Sequence, residues 1–205
     1  KRMGLEYVDI FYHHRPDPET PLEETMGTLA DIVRQGKALY VGLSNYSKQE
    51  AEKAVLLLKD MGVHCLIEQP RYNMFERTPE DGLFKAMWEH GVGCICYSPL
   101  AQGALTDKYL NGIPQGSRAS RVGTTINDRY LSEEKLDQIR RLNEIAVSRN
   151  QSLAQMALAW VLREKAVTSV LIGASSVRQL ENSVQCLDHL EFSADELKAI
   201  DEILK

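Results

Sequence analysis

The chain lacks several features that would narrow its chemistry early. It has no CxxC pair: Cys65, Cys94, Cys96 and Cys186 are scattered, so nothing points to a paired-thiol zinc site. Three of the four lie in or beside apolar stretches, where a free thiol behaves as a small apolar side chain. No stretch approaches the roughly 18 apolar residues of a membrane span, and Lys1-Arg2-Met3-Gly4 opens no signal-like segment, so the chain reads as cytoplasmic. Neither sign of charge dominates, with 24 basic against 29 acidic residues and a net charge of −5. With no basic stripe, nucleic acid is a poor candidate partner. No composition break marks a linker, so residues 1–205 read as one domain, long enough for a sizeable core.

What is present is a repeat. Five apolar stretches, YVDIFYHH, ALYVGLSN, CLIEQP, GCICYSP and SVLIGAS, each end on polar groups and run into a helix-like segment. That is the pattern of parallel βα units with chemistry at the strand ends. The stretches are continuous rather than alternating, as in a parallel sheet covered on its outer face. A closed (β/α)8 TIM barrel needs eight strands, so this α/β chain reads as about five C-terminal βα units of an incomplete barrel. A doubly wound sheet is the competing architecture, but no GxGxxG follows any strand.

Local signals place the elements. Strands are expected at about 7–13, 38–44, 64–68, 92–97 and 168–173. Helices are expected at about 21–35, from 47 to about Met61, and at 80–90, 132–149, 153–165, 176–187 and 194–204. Thr20 with Glu23, Ser47 with Glu50, Ser152 with Gln155 and Ser193 with Glu196 have capping-box spacing. Residues 101–131, with four glycines and little apolar periodicity, read as a long loop with one short helical turn, a length usually reserved for function or disorder.

The strand ends carry the candidate chemistry. His14 closes the first strand, where it could polarise a carbonyl or shuttle a proton, or be an ordinary loop histidine. Ser44, Asn45 and Gln69 follow on the next two strands as neutral donors and acceptors, suited to orienting a carboxamide and equally usual in turns and caps. Tyr97 offers a flat face, or core packing, before the small residues Ser98, Ala101 and Gly103, whose backbone could approach a phosphate closely. Gly173, Ala174, Ser175 and Ser176 enter a helix with Arg178 in its first turn. This is a plausible phosphate site of the kind barrels place after their last strands.

Taken together, GKALYVGLSNY, the Q-x-x-YN of EQPRYN, YSPLAQGALT and VLIGAS resemble the aldo-keto reductases, NADPH-dependent (β/α)8 enzymes. The closest likeness is to the branch that reduces glyceraldehyde 3-phosphate and similar small aldehydes. That branch is similar to the potassium-channel β subunits, which share RPDP-x-TP and the SRAS segment at Ser117 to Ser120. The resemblance implies that His14 is the active-site histidine that places the substrate carbonyl. It implies that Ser44, Asn45 and Gln69 hold the nicotinamide carboxamide with Tyr97 stacked on the ring. Ser98, Leu100, Gln102 and Gly103 would lie along the pyrophosphate, and Lys108 and Arg118 would close over the phosphates and adenine end. Gly173, Ser175 and Gln179 would take the 2′-phosphate side. An ungapped match sets Asn182 and Ser183 at the adenine, and a one-residue shift sets Glu181 and Asn182 there.

The family's proton-donating tyrosine and its aspartate and lysine partners belong to earlier βα units, and no segment here carries those motifs; His14 alone represents the set. The resemblance therefore implies an NADPH-dependent reductase of small aldehydes or ketones, with this chain as its NADP(H)-binding half. A nucleotide-binding regulatory module and an inactive truncated product are the alternatives. Arg118 and Ser175 favour NADPH over NADH, since a 2′-phosphate needs cationic and hydroxyl partners. Five strands also leave two open sheet edges, which upstream residues or a homo-oligomeric partner would have to cover.

Overall fold

Five parallel strands pair in chain order, β1 (Val8–His13), β2 (Ala38–Ser44), β3 (Cys65–Gln69), β4 (Gly93–Cys96) and β5 (Val167–Val170). The computed structural model describes residues 2–117, 119–121 and 123–205. Register along the first pairs runs Tyr12 to Gly42 and Ser44 to Gln69, so the ends of β2 and β3 are level. Three helices accompany the early strands: α1 (Leu22–Arg34), α2 (Lys48–Asp60) and α3 (Leu83–Glu89). The remaining helices are the short α4 (Ile126–Tyr130), then α5 (Glu133–Ser148), α6 (Leu153–Leu162), α7 (Val177–Val184) and α8 (Ala194–Leu204).

The chain divides into two units. One comprises residues 1–71, 78–96 and 166–169, and the other residues 72–77, 97–165 and 170–205. In the first, the sheet and α1 to α3 bury Met26, Leu29, Val41, Leu43, Leu58 and Met87. All four cysteines are free and buried, as their apolar settings predict. In the second, Trp160 is fully buried, stacked on Tyr72 with the Arg163 guanidinium 3.7 Å from its ring centroid. Arg149, also buried, reaches Glu196 Oε1 at 2.7 Å and lies over the Phe192 ring, fastening the start of α8.

Three of the four expected capping boxes form: Ser47–Glu50, Ser152–Gln155 and Ser193–Glu196 each pair side chain to backbone in both directions. The fourth does not. Thr20 Oγ1 donates to Asp17 Oδ2 at 2.7 Å, Glu23 pairs with Lys53 at 2.6 Å, and α1 begins after Pro21 with no side-chain cap. β5 ends at Val170 instead of 173, four residues long like its sheet neighbour β4. α3 starts at Leu83 instead of 80, because Gly82 takes φ 107° and separates it from a 3₁₀ turn at Thr78–Glu80. The stretch 101–131 holds 3₁₀ turns at Ala101–Gly103 and Asp107–Tyr109 before α4.

Candidate functional site

The first unit gathers its candidate residues at the carboxyl ends of β1, β2 and β3. His14, one residue past β1, is exposed, and its carbonyl accepts from Asn45 Nδ2 at 2.9 Å. Ser44 is the last residue of β2 and is nearly buried; its hydroxyl donates to the Gln69 carbonyl at 2.8 Å and accepts from Asn45 Nδ2 at 3.0 Å. Asn45 holds φ 61°, a left-handed conformation that asparagine tolerates better than most residues. His14, Ser44, Asn45 and Gln69 thus form one hydrogen-bonded rim within this unit.

Beneath that rim lies a contact the sequence reading passed over. The Tyr12 ring lies across Gly42 on the neighbouring strand, so close that a Cβ there would come 2.7 Å from Cε1 and 2.8 Å from Cδ1. The Tyr12 hydroxyl hydrogen-bonds the Gln69 side chain; burial, only partly offset by that bond, raises its pKa. A glycine inside a strand was the available signal, because it marks a place where another group approaches closely. His13, beside the candidate histidine, sets Nδ1 2.6 Å from the Tyr46 hydroxyl, and burial lowers its pKa, which favours the neutral ring.

Glu68, one residue before Gln69, is fully buried, and neither carboxylate oxygen has a hydrogen-bond partner. The backbone N–H of Tyr46 is the donor that approaches it, short of hydrogen-bond geometry but enough to lower its pKa slightly. Burial dominates and pushes the carboxyl up to about 8. The same desolvation pushes the neighbouring Cys65 thiol up to about 12 and raises Tyr46. In the sequence, Glu68 reads as one more polar residue at a strand end; its burial is visible only in three dimensions.

The second unit carries the other candidates in two groups. Tyr97 is half-buried and leads into a tight turn in which Ser98, Ala101 and Gln102 all hold positive φ, at 54°, 47° and 59°. Leu100 accepts from the Gly103 and Leu105 amides, and Gln102 Nε2 donates to Thr125 Oγ1 at 3.2 Å. Each such non-glycine conformation costs on the order of 1 kcal/mol and survives only where neighbours enforce it. No atom lies within 4 Å of where a Cβ on Gly103 would be, so the turn is open there. Lys108 is exposed on the following 3₁₀ turn, and Arg118 lies outside the described residues.

The second group precedes and enters α7. Gly173 is exposed with open space around it, and Gln179 Oε1 accepts from both the N–H and the hydroxyl of Ser175, at 2.9 and 3.0 Å. Asn182 bonds Ser152 and Gln155, while Ser183 is buried with its hydroxyl on the Gln179 carbonyl. Glu181, in contrast, is exposed. Among the described residues, no group of three or more His, Cys, Asp or Glu side chains could hold a metal ion, and no helix is long and apolar enough to cross a membrane.

A family model described as the aldo/keto reductase family matches residues 1–205. The chain belongs to the aldo/keto reductase family. It is 53% identical over 206 residues to an L-glyceraldehyde 3-phosphate reductase of Escherichia coli K12, a match covering 98% of this chain and 60% of that protein. It is 37% identical over 210 residues to a putative voltage-gated potassium channel subunit beta of Schizosaccharomyces pombe, covering all of this chain and 61% of that protein. A thermostable aldo-keto reductase solved with the inhibitor epalrestat superposes with a TM-score of 0.72 at 30% identity, over 98% of this chain and 62% of that one. The chain therefore spans about 60% of the length of the curated relatives it matches. Its five-stranded parallel sheet is consistent with part of an aldo/keto reductase (β/α)8 barrel.

Proposed function

We propose that the full natural protein reduces small aldehydes or ketones to alcohols with NADPH, and that this chain supplies most of the nucleotide contacts. The observation that carries this reading is the rim formed by Ser44, Asn45 and Gln69 at the ends of adjacent parallel strands, in a chain of this family. These residues fit the cofactor in chemistry and in space. Neutral amide and hydroxyl groups match a carboxamide, and the open backbone at Gly103 and Gly173 leaves room for a phosphate to approach.

On this reading Ser44, Asn45 and Gln69 orient the nicotinamide carboxamide, and Tyr97 lies against the ring. Ser98, Leu100, Gln102 and Gly103 follow the pyrophosphate, while Lys108 and Arg118 neutralise phosphate charge. Gly173, Ser175 and Gln179 take the 2′-phosphate side, and Asn182 the adenine. Bound NADPH supplies the hydride. His14 places the carbonyl by hydrogen bonding, and its neighbour His13 is held by Tyr46. The general acid required for efficient carbonyl reduction is not among these residues. The likeness to an L-glyceraldehyde 3-phosphate reductase supports a small phosphorylated aldehyde as the first substrate to try.

The test is NADPH oxidation by the full natural chain across a panel of short aldehydes that includes glyceraldehyde 3-phosphate. Aldehyde-dependent oxidation is expected. Tight NADPH binding without turnover on any member of the panel would favour a nucleotide-binding regulatory module instead, the reading supported by the likeness to a channel subunit.

A further inference from the structure

The segment Arg71-Tyr72-Asn73-Met74-Phe75-Glu76-Arg77 supplies no group to the chemistry proposed above, yet its second unit portion is built around a fully buried polar side chain. Asn73 is 0% exposed, and every hydrogen-bonding position of its carboxamide is used. Oδ1 accepts from the Phe75 and Glu76 amides at 2.9 and 3.1 Å, and Nδ2 donates to Glu76 Oε2 at 3.2 Å and to the Ser98 carbonyl at 3.0 Å. Two donors and two acceptor lone pairs exhaust what an asparagine amide offers.

Glu76 carries the network onward. Oε2 accepts from the Tyr130 hydroxyl at 2.6 Å and Oε1 from Arg129 at 3.1 Å, which anchors α4. Thr125, at the start of α4, accepts from Gln102. Two routes therefore leave this small turn and meet again in the Ser98–Gly103 turn: Asn73 grips Ser98 directly, and Glu76 reaches Gln102 through α4. These are two of the three non-glycine residues held at positive φ there. A conformation of that kind persists only where its surroundings over-determine it, and the network is that surrounding.

We propose that Asn73 and Glu76 are positioning residues for the nucleotide: they hold the Ser98–Gly103 turn in the form that grips the pyrophosphate, and so set how long NADP(H) stays bound. This rests on the reading that the turn carries the phosphate contacts. Neither side chain touches the nucleotide; each acts through the backbone it holds.

The experiment uses the full natural chain and NADPH itself, with dissociation followed by stopped-flow nicotinamide fluorescence during a chase with excess NADP⁺. Asn73→Ala should speed dissociation about tenfold or more, and Tyr130→Phe, which removes one hydroxyl and keeps the ring, several-fold, on the order expected for lost hydrogen bonds to a buried network. Glu76→Gln, which keeps an acceptor for Tyr130, should fall between wild type and Glu76→Ala. Hydride transfer in a single turnover of protein already loaded with NADPH should stay within about twofold of wild type, a split that a general loss of stability would not produce. Variants that melt with wild type and release NADPH at its rate would overturn the proposal, as would a loss confined to hydride transfer. Should Asn73→Ala not fold, Tyr130→Phe decides by the same criteria. A wild-type protein that binds no NADPH overturns the underlying reading itself, which separates the two failures.

Discussion

Glu68→Gln should remove most of the pH dependence of stability between about pH 5 and 8. The carboxyl is fully buried with neither oxygen partnered, and its pKa is pushed up to about 8, against an ordinary value of 4.5. The titratable groups recorded around it, Tyr12, Tyr46 and Cys65, all have raised pKa values and stay neutral over this range, so no charge there compensates it. Below the unfolded value both states hold the proton and nothing is lost. Between the two values the unfolded chain ionises first, so stability falls by about 1.4 kcal/mol per pH unit, and it levels off above the folded value. The full loss is at most about 5 kcal/mol, a large fraction of the stability of an ordinary domain. Glutamine cannot ionise but leaves a buried amide unpartnered, at a pH-independent cost of about 1–3 kcal/mol. The variant should therefore be the weaker protein at pH 5 and the stronger at pH 8.5. Urea unfolding at half-unit steps from pH 5 to 9 would show the two stability curves crossing. Parallel curves would refute the reasoning, because they would mean that Glu68 titrates alike in the folded and unfolded states.

Gly42→Ala should cost about 1–3 kcal/mol by pressing on the Tyr12 ring, and the cost should shrink markedly in a Tyr12→Ala background, as a double-mutant cycle of thermal or urea unfolding would show. Two residues with the same capping-box spacing should behave differently. Ser47→Ala should cost about 1 kcal/mol because its box is formed, whereas Thr20→Ala should cost only a few tenths, since Thr20 caps nothing and merely bonds an exposed Asp17; equal losses would contradict the assignment.

The βα order was legible because it rests on short-range signals. Apolar runs ending on polar residues, glycine stops and serine caps depend on a few neighbours in the chain, and the elements they predict are present. The failures turn on what spacing does not reveal. Thr20 took Asp17 in place of the cap, and β5 stops at Val170, three residues short of the end of its apolar run. The candidate rim was legible for a similar reason, since Ser44, Asn45 and Gln69 are consecutive strand ends. Glu68, the Tyr12 ring over Gly42, and the Asn73–Glu76 network were not. Each depends on which face of a strand turns inward or on partners 25 to 54 residues away. Only Gly42 left a trace, as a glycine where a strand former would be expected.

The strand order has a kinetic consequence. Between His13 and Ala38 lie 24 residues, but between Cys96 and Val167 lie 70, so the last pairing of the sheet closes much the longest loop. The added closure entropy is about 1 kcal/mol, and α4, α5 and α6 must be accommodated within it. The first four strands can pair progressively as the chain lengthens, each with its immediate predecessor. β5 is then the natural late step of folding, and the segment that follows it, with Gly173, Ser175 and Gln179, should acquire its native form last.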